Sequence, residues 1–158
     1  MRYAQIRKLD ISNGEGIGIA LFVQGCHFHC KNCFNQSTWN FNGGKPFTAD
    51  VKRHFLNLAK NKYVSRVSIL GGEPLAAENY LEVEQLCRGI DKTIWLYTGY
   101  TFNEIPCKSI LEFVDVIVDG QYIDDLKDFS LKFRGSSNQH IWRKNKDGNW
   151  HIEEEYHD

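Results

Sequence analysis

Three cysteines crowd into Gly25-Cys26-His27-Phe28-His29-Cys30-Lys31-Asn32-Cys33-Phe34-Asn35, with the spacing C-x3-C-x2-C. Thiolates this close in sequence can wrap one polynuclear metal centre. A [4Fe–4S] cubane normally takes one cysteine per iron. Three ligands, Cys26, Cys30 and Cys33, would leave one iron open to a small chelating molecule. Two other readings compete. His27 or His29 would complete a Cys3His zinc site, making the chain a zinc-binding interaction module. The thiols would also share one face of a helix, although Gly25, His27, His29, Lys31 and Asn32 are poor helix formers.

Around this cluster, strand-like and helix-like stretches alternate. Ile17–Val23, Val64–Leu70, Thr93–Tyr97 and Val114–Val118 are short, β-branched and closed by Gly or by Thr-Gly and Asp-Gly pairs, as buried strands are. Thr48 is an N-cap for a helix to about Lys60, with Val51, Phe55, Leu58 and Ala59 on one face. Val83, Leu86, Cys87 and Ile90 mark a second helix, and Glu104–Phe113 a weaker one with Pro106 in its first turn. This rhythm predicts an α/β fold with a mostly parallel sheet. His140–Arg143 and Asn149–Ile152 flank Lys146-Asp147-Gly148 and predict a small hairpin. The 158 residues fit one domain, 1–158, with 143–158 as a C-terminal extension. A complete eight-fold β/α barrel needs about 250 residues and is excluded. Chemistry in parallel α/β folds sits at the carboxyl ends of strands. Gly25-Cys26, Gly71-Gly72-Glu73-Pro74, Thr98-Gly99-Tyr100 and Asp119-Gly120 are therefore expected on one rim. Gly14, Gly16 and Gly18 imitate a dinucleotide fingerprint but precede a strand, so they fail its context.

Lys and Arg number 19 against 20 Asp and Glu, a net charge of -1, so no global field exists to hold a nucleic acid. No apolar run reaches the roughly 18 residues of a membrane span, and no secretory h-region follows Met1. The chain is expected in the reducing cytoplasm, where five cysteines, an odd number, act as thiols or metal ligands rather than disulfides. Cys87 is expected as a buried apolar residue and Cys107 as an incidental thiol. His54, His140, His151 and His157 show no ligand spacing, and Trp39, Trp95, Trp142 and Trp150 read as core or interface aromatics. The acidic tail Glu153–Asp158 reads as solvated.

The cysteine spacing after a first strand, followed by Gly71-Gly72-Glu73-Pro74 after a second, resembles the radical S-adenosylmethionine (SAM) superfamily. Asn13-Gly14-Glu15-Gly16, Asn35-Gln36-Ser37-Thr38-Trp39, Trp95-Leu96-Tyr97-Thr98-Gly99-Tyr100, Val118-Asp119-Gly120 and Arg134-Gly135-Ser136-Ser137-Asn138-Gln139 narrow the match. They resemble the activating proteins of anaerobic ribonucleotide reductases, from about Tyr3 to about Trp142. Many superfamily members place an aromatic residue where this chain has Asn32, and the family often has Asp where it has Glu73.

The resemblance implies a shortened radical-SAM partial (β/α) barrel. It implies a [4Fe–4S] cluster on Cys26, Cys30 and Cys33, and SAM held by Gly71, Gly72 and Glu73, with Asn32, Cys33 and Phe34 toward the adenosyl side. An external one-electron reductant, flavodoxin-like or chemical, would feed the cluster. A 5′-deoxyadenosyl radical would then take hydrogen from a glycine of the large catalytic subunit of the reductase. Arg134 is a candidate for binding the partner or the SAM carboxylate. A same-class alternative is a small radical-SAM enzyme of 7-deazaguanine synthesis.

Overall fold

The computed structural model describes residues 1–156; His157 and Asp158, the end of the expected solvated tail, lie outside the described residues. The strands are β1 (Arg2–Asp10), β2 (Gly18–Val23), β3 (Lys45–Pro46), β4 (Arg66–Gly71), β5 (Thr93–Tyr97), β6 (Val116–Asp119), β7 (His140–Lys144) and β8 (Trp150–Ile152). They form one sheet in the order β3-β1-β2-β4-β5-β6-β7-β8. Its centre, β2-β4-β5-β6, is parallel throughout. The flanking pairs are antiparallel, so the expected parallel sheet forms the centre of a mixed one.

Two helices, α1 (Ala49–Ala59) and α2 (Tyr80–Arg88), link β3 to β4 and β4 to β5. Thr48 caps α1 as expected, its hydroxyl accepting the Val51 N–H at 3.2 Å. The expected third helix is absent. Glu104–Phe113 resolves into two 3₁₀ turns, Phe102–Glu104 and Lys108–Glu112, on either side of Pro106. Proline lacks the N–H that would carry a helix through, and its ring crowds the preceding turn.

The central strands are buried on both faces, which is why they read as continuous apolar runs. One face carries Ile19, Leu21, Val67, Ile69, Ile94, Leu96 and Ile117 against Phe55 and Ala59 of α1 and Val83, Leu86 and Cys87 of α2. The opposite face carries Phe22 and Leu70, and Trp95 with Val116 and Val118. Among the described residues no α-helix covers that second face. Loops cover it, and between them it opens into a cavity.

One of these loops is fastened by a buried charge. Arg66 and Asp10 are each about 1 % exposed and 2.7 Å apart. The Arg66 guanidinium also donates to the Asp10, Gly14 and Glu15 carbonyls and to the Ser68 hydroxyl. A Cβ on Gly14 or Gly18 would approach the guanidinium to 2.8 Å. Gly14 and Gly18, two of the three glycines that imitate a dinucleotide fingerprint, thus make room for an arginine, whereas Gly16 lies against Ser65.

Candidate metal and cofactor site

The cysteine segment is a closed loop, not a helix. Its neck is held by Gly25 N–H to Thr38 O at 2.6 Å and Cys26 N–H to Trp39 O at 3.1 Å. The buried Gln24 amide reaches across to the Ser37 and Asn40 carbonyls. Within the loop His29 and Asn32 adopt φ of 50° and 57°, the left-handed region that interrupts a helix. The helix-stripe reading therefore fails. Cys26, Cys30 and Cys33 are all half-exposed.

All three line a cavity of about 450 Å³ on the loop-covered face of the sheet. That size suits a small organic ligand. The expected rim is assembled there, since Gly71, Gly72, Glu73, Thr98, Gly99 and Gly120 share the same lining. The register explains it. Gly71 lies opposite Val23 in the parallel pair, and Glu73 N–H donates to Gly25 O at 2.7 Å, locking the two turns together.

The glycines there serve backbone against backbone. A Cβ on Gly71 would lie 2.5 Å from Val23 O, and one on Gly72 2.4 Å from Gly25 O and 2.9 Å from Thr38 O. Glycine at both positions is what lets the turn after β4 nest against the neck of the cysteine loop.

Glu73 is 2 % exposed, and its carboxylate is engaged by the chain itself. Oε2 accepts the Leu75 N–H and the Thr98 hydroxyl, both at 2.8 Å, and Oε1 accepts the Gly99 N–H at 2.7 Å. Burial outweighs these donors and pushes the carboxyl up to about 7. The resemblance placed Glu73 among the residues that hold SAM. In the fold it chiefly ties the β4 and β5 turns together.

Phe34 lines the cavity with its ring 62 % exposed. Asn32 does not. Its side-chain amide donates to Asp124 Oδ2 at 2.9 Å, on the segment after β6. Arg134 lines the cavity, and its guanidinium donates to the Gln139 carbonyl at 2.7 Å and to the Tyr156 carbonyl. Tyr97, Tyr122 and Phe129 are among the lining residues that were not foreseen. Tyr97 carries a buried hydroxyl without a hydrogen-bond partner, and Tyr122 and Phe129 come from the irregular segment after β6. Tyr97 stood within a quoted motif; Tyr122 and Phe129 carried no signal in the sequence.

The donor set can be tested against the groups it would hold. Neither His27 nor His29 joins the thiols in the cavity lining. His27 Nε2 lies 2.8 Å from Glu78 Oε2, and His29 stacks on Trp39 at 4.6 Å. Among the described residues no three His, Cys, Asp or Glu side chains gather as ligands of one ion. The Cys3His site is therefore not assembled. All three thiols line the same cavity, and a cubane takes its thiolates at separate corners rather than on one ion. The orphaned Tyr97 hydroxyl fits a polar organic ligand beside it. Burial holds the Cys26 and Cys30 thiols above the usual range, and a bound cation would reverse that. Cys87 is 2 % exposed and pushed up to about 12, away from the cavity on α2.

A family model described as a 4Fe-4S single cluster domain matches residues 12–142. The chain is 38 % identical over 155 residues to the anaerobic ribonucleoside-triphosphate reductase-activating protein of Enterobacteria phage T4, covering 95 % of this chain and 98 % of the relative. The proteins of that name from Escherichia coli K12 and Vibrio cholerae are each 38 % identical, covering 88 % and 90 % of this chain and 96 % and 98 % of their own. The chain belongs to this family of reductase-activating proteins. These relatives carry the reductase name, which sets the deazaguanine alternative aside. Among the described residues no helix is long and apolar enough to cross a membrane.

Proposed function

We propose that this chain activates an anaerobic ribonucleotide reductase by radical-SAM chemistry, as a single domain working in the cytoplasm. Cys26, Cys30 and Cys33 hold a [4Fe–4S] cluster with one open iron. SAM lies along the turn Gly71–Glu73, with its adenosyl end toward Phe34. When bound, cluster and SAM supply reductive cleavage of the sulfonium and a 5′-deoxyadenosyl radical, which takes a hydrogen atom from a glycine of the catalytic subunit. The electron comes from an external one-electron donor.

The observation that supports this reading is the shared cavity, with three thiols and the Gly-Gly-Glu-Pro turn on one concave surface. The chain's own part is to hold and to exclude. Gly72 lets the turn sit against the cysteine loop, Glu73 fixes that turn to β5, and Tyr97 offers a hydroxyl. The sheet acts as a shortened partial (β/α) barrel whose mouth stays open, so the partner must complete the enclosure that shields a primary radical from water. The test is anaerobic reconstitution with iron and sulfide, followed by SAM, reductant and the reductase subunit. A glycyl doublet in electron paramagnetic resonance, on the subunit and dependent on SAM, is expected. An iron-loaded chain that gives no glycyl signal would overturn the reading.

A further inference from the structure

The segment between β6 and β7 has no part in the function as proposed, yet it supplies much of the cavity wall. Tyr122, Phe129, Leu131 and Phe133 all line the cavity. Tyr122 packs on Phe34 of the cysteine loop, with ring centroids 4.9 Å apart and planes at 49°. Beneath both rings runs Gly135, where a Cβ would come within 3.0 Å of Phe34 and 3.1 Å of Tyr122. The main chain is thus pressed against the pair, which only glycine allows without displacing a ring. Phe34 and Phe129, with centroids 6.5 Å apart, are 62 % and 82 % exposed. Aromatic surface left open at a cavity mouth marks a place for an occupant.

Tyr122 is also held in position. Its hydroxyl donates to Asp124 Oδ1 at 2.9 Å, and the Asn32 amide donates to Asp124 Oδ2 at 2.9 Å. Asp124 therefore clamps the ring to the cysteine loop at Asn32, which itself stays out of the cavity lining. Cys30 and Gln121 meet at the same seam, Sγ to Oε1 at 3.7 Å.

We propose that Tyr122, positioned by Asp124 and Asn32, forms with Phe34 the aromatic wall on which the adenine ring of the nucleoside ligand packs. Asn32 then acts through Asp124 rather than on the ligand. The proposal rests on the reading of the cavity as a SAM site and adds the group that would recognise the base. Every base offers a flat π-face, so a fixed ring contributes affinity through stacking.

The test measures binding, not turnover. The full chain, reconstituted anaerobically, is titrated with SAM and with 5′-deoxyadenosine by calorimetry. Iron content is recorded for each variant. Tyr122→Ala and Tyr122→Leu are expected to weaken both probes by roughly ten-fold at unchanged iron content, since leucine keeps bulk but not the flat ring. Tyr122→Phe and Asp124→Ala keep the ring but lose its tether, and should fall between these and the wild type. Wild-type affinity in both Tyr122→Ala and Tyr122→Leu would overturn the proposal and leave the SAM site standing. Loss of iron together with binding in Tyr122→Leu would assign Tyr122 a purely structural role and overturn it as well. An iron-loaded wild type that binds neither probe would overturn the SAM reading itself, and this proposal with it.

Discussion

The Thr98 hydroxyl donates to Glu73 Oε2 at 2.8 Å, joining the turn after β5 to the turn after β4 inside the cavity wall. With the Leu75 and Gly99 N–H groups it gives the carboxylate three donors from the chain itself. The acid of the Gly-Gly-Glu-Pro turn is thereby a structural tie whose loss would move two walls of the site at once.

The burial of this carboxyl gives the fold a pH dependence. Burial raises the Glu73 carboxyl from 4.5 to about 7. The unfolded chain releases the proton near 4.5, whereas the folded chain keeps it to about 7. The group's contribution to stability is therefore full below 4.5 and is lost as the pH rises through 7. Urea unfolding of the apo-protein between pH 5 and 8 should show this decline, on the order of 3 kcal/mol at most. Glu73→Gln cannot titrate and should lack that part of the slope.

Gly72→Ala should loosen the cysteine loop. The new methyl would meet Gly25 O at 2.4 Å and Thr38 O at 2.9 Å, both backbone atoms that cannot swing aside. A loss of at least about 2 kcal/mol is expected, with reduced iron uptake on reconstitution. Gly89→Ala is the control, because its methyl would meet the flexible Leu56 side chain at 3.2 Å and the Leu86 carbonyl only at an ordinary 3.6 Å. Equal iron content and melting temperature in both variants would contradict the close approach at Gly72.

Replacing Cys26, Cys30 or Cys33 by Ala, one at a time, should abolish or strongly reduce the brown absorption of the reconstituted protein. Cys87→Ala and Cys107→Ala should keep it, since Cys87 is buried on α2 and Cys107 lies outside the cavity lining. Bleaching by Cys107→Ala to the extent of Cys30→Ala would mean that the ligand set is wrong.

Arg66→Leu should destabilise the chain by about 3–5 kcal/mol, because it leaves Asp10 charged and buried without its partner. The Asp10→Leu/Arg66→Leu double variant should recover part of that loss in denaturant titrations. The loop Asp10–Gly16 hangs on the guanidinium, and its Ser12 and Asn13 line the cavity. SAM affinity should therefore fall in both variants, including the one whose stability partly returns.

The parallel centre of the sheet, the capped helix α1, the β7-β8 hairpin and the assembly of the rim were legible in the sequence. Each depends on local signals, namely apolar runs, a Thr cap, and glycines at strand ends. Strand β1 was not legible. Register shifts between Tyr3 and Gln5 and between Arg7 and Asp10 break the alternation that reveals a strand, and Leu9 is left 67 % exposed. Its pairing with β2 on one side and β3 on the other makes the segment a strand.

The sequence by itself determined the chemistry on offer, three thiols and an acid-bearing glycine turn at the ends of consecutive buried strands, because spacing and strand order are local properties of the chain. The tertiary structure decided which way those residues face. It turned Glu73 inward to Thr98 and Gly99, drew Asn32 across to Asp124, closed Gly72 against Gly25, and brought Tyr122 onto Phe34. These partners lie between 25 and 92 positions apart in the chain. Hydrogen bonds and ring contacts at that separation depend on how the turns dock on the sheet, which no local pattern encodes.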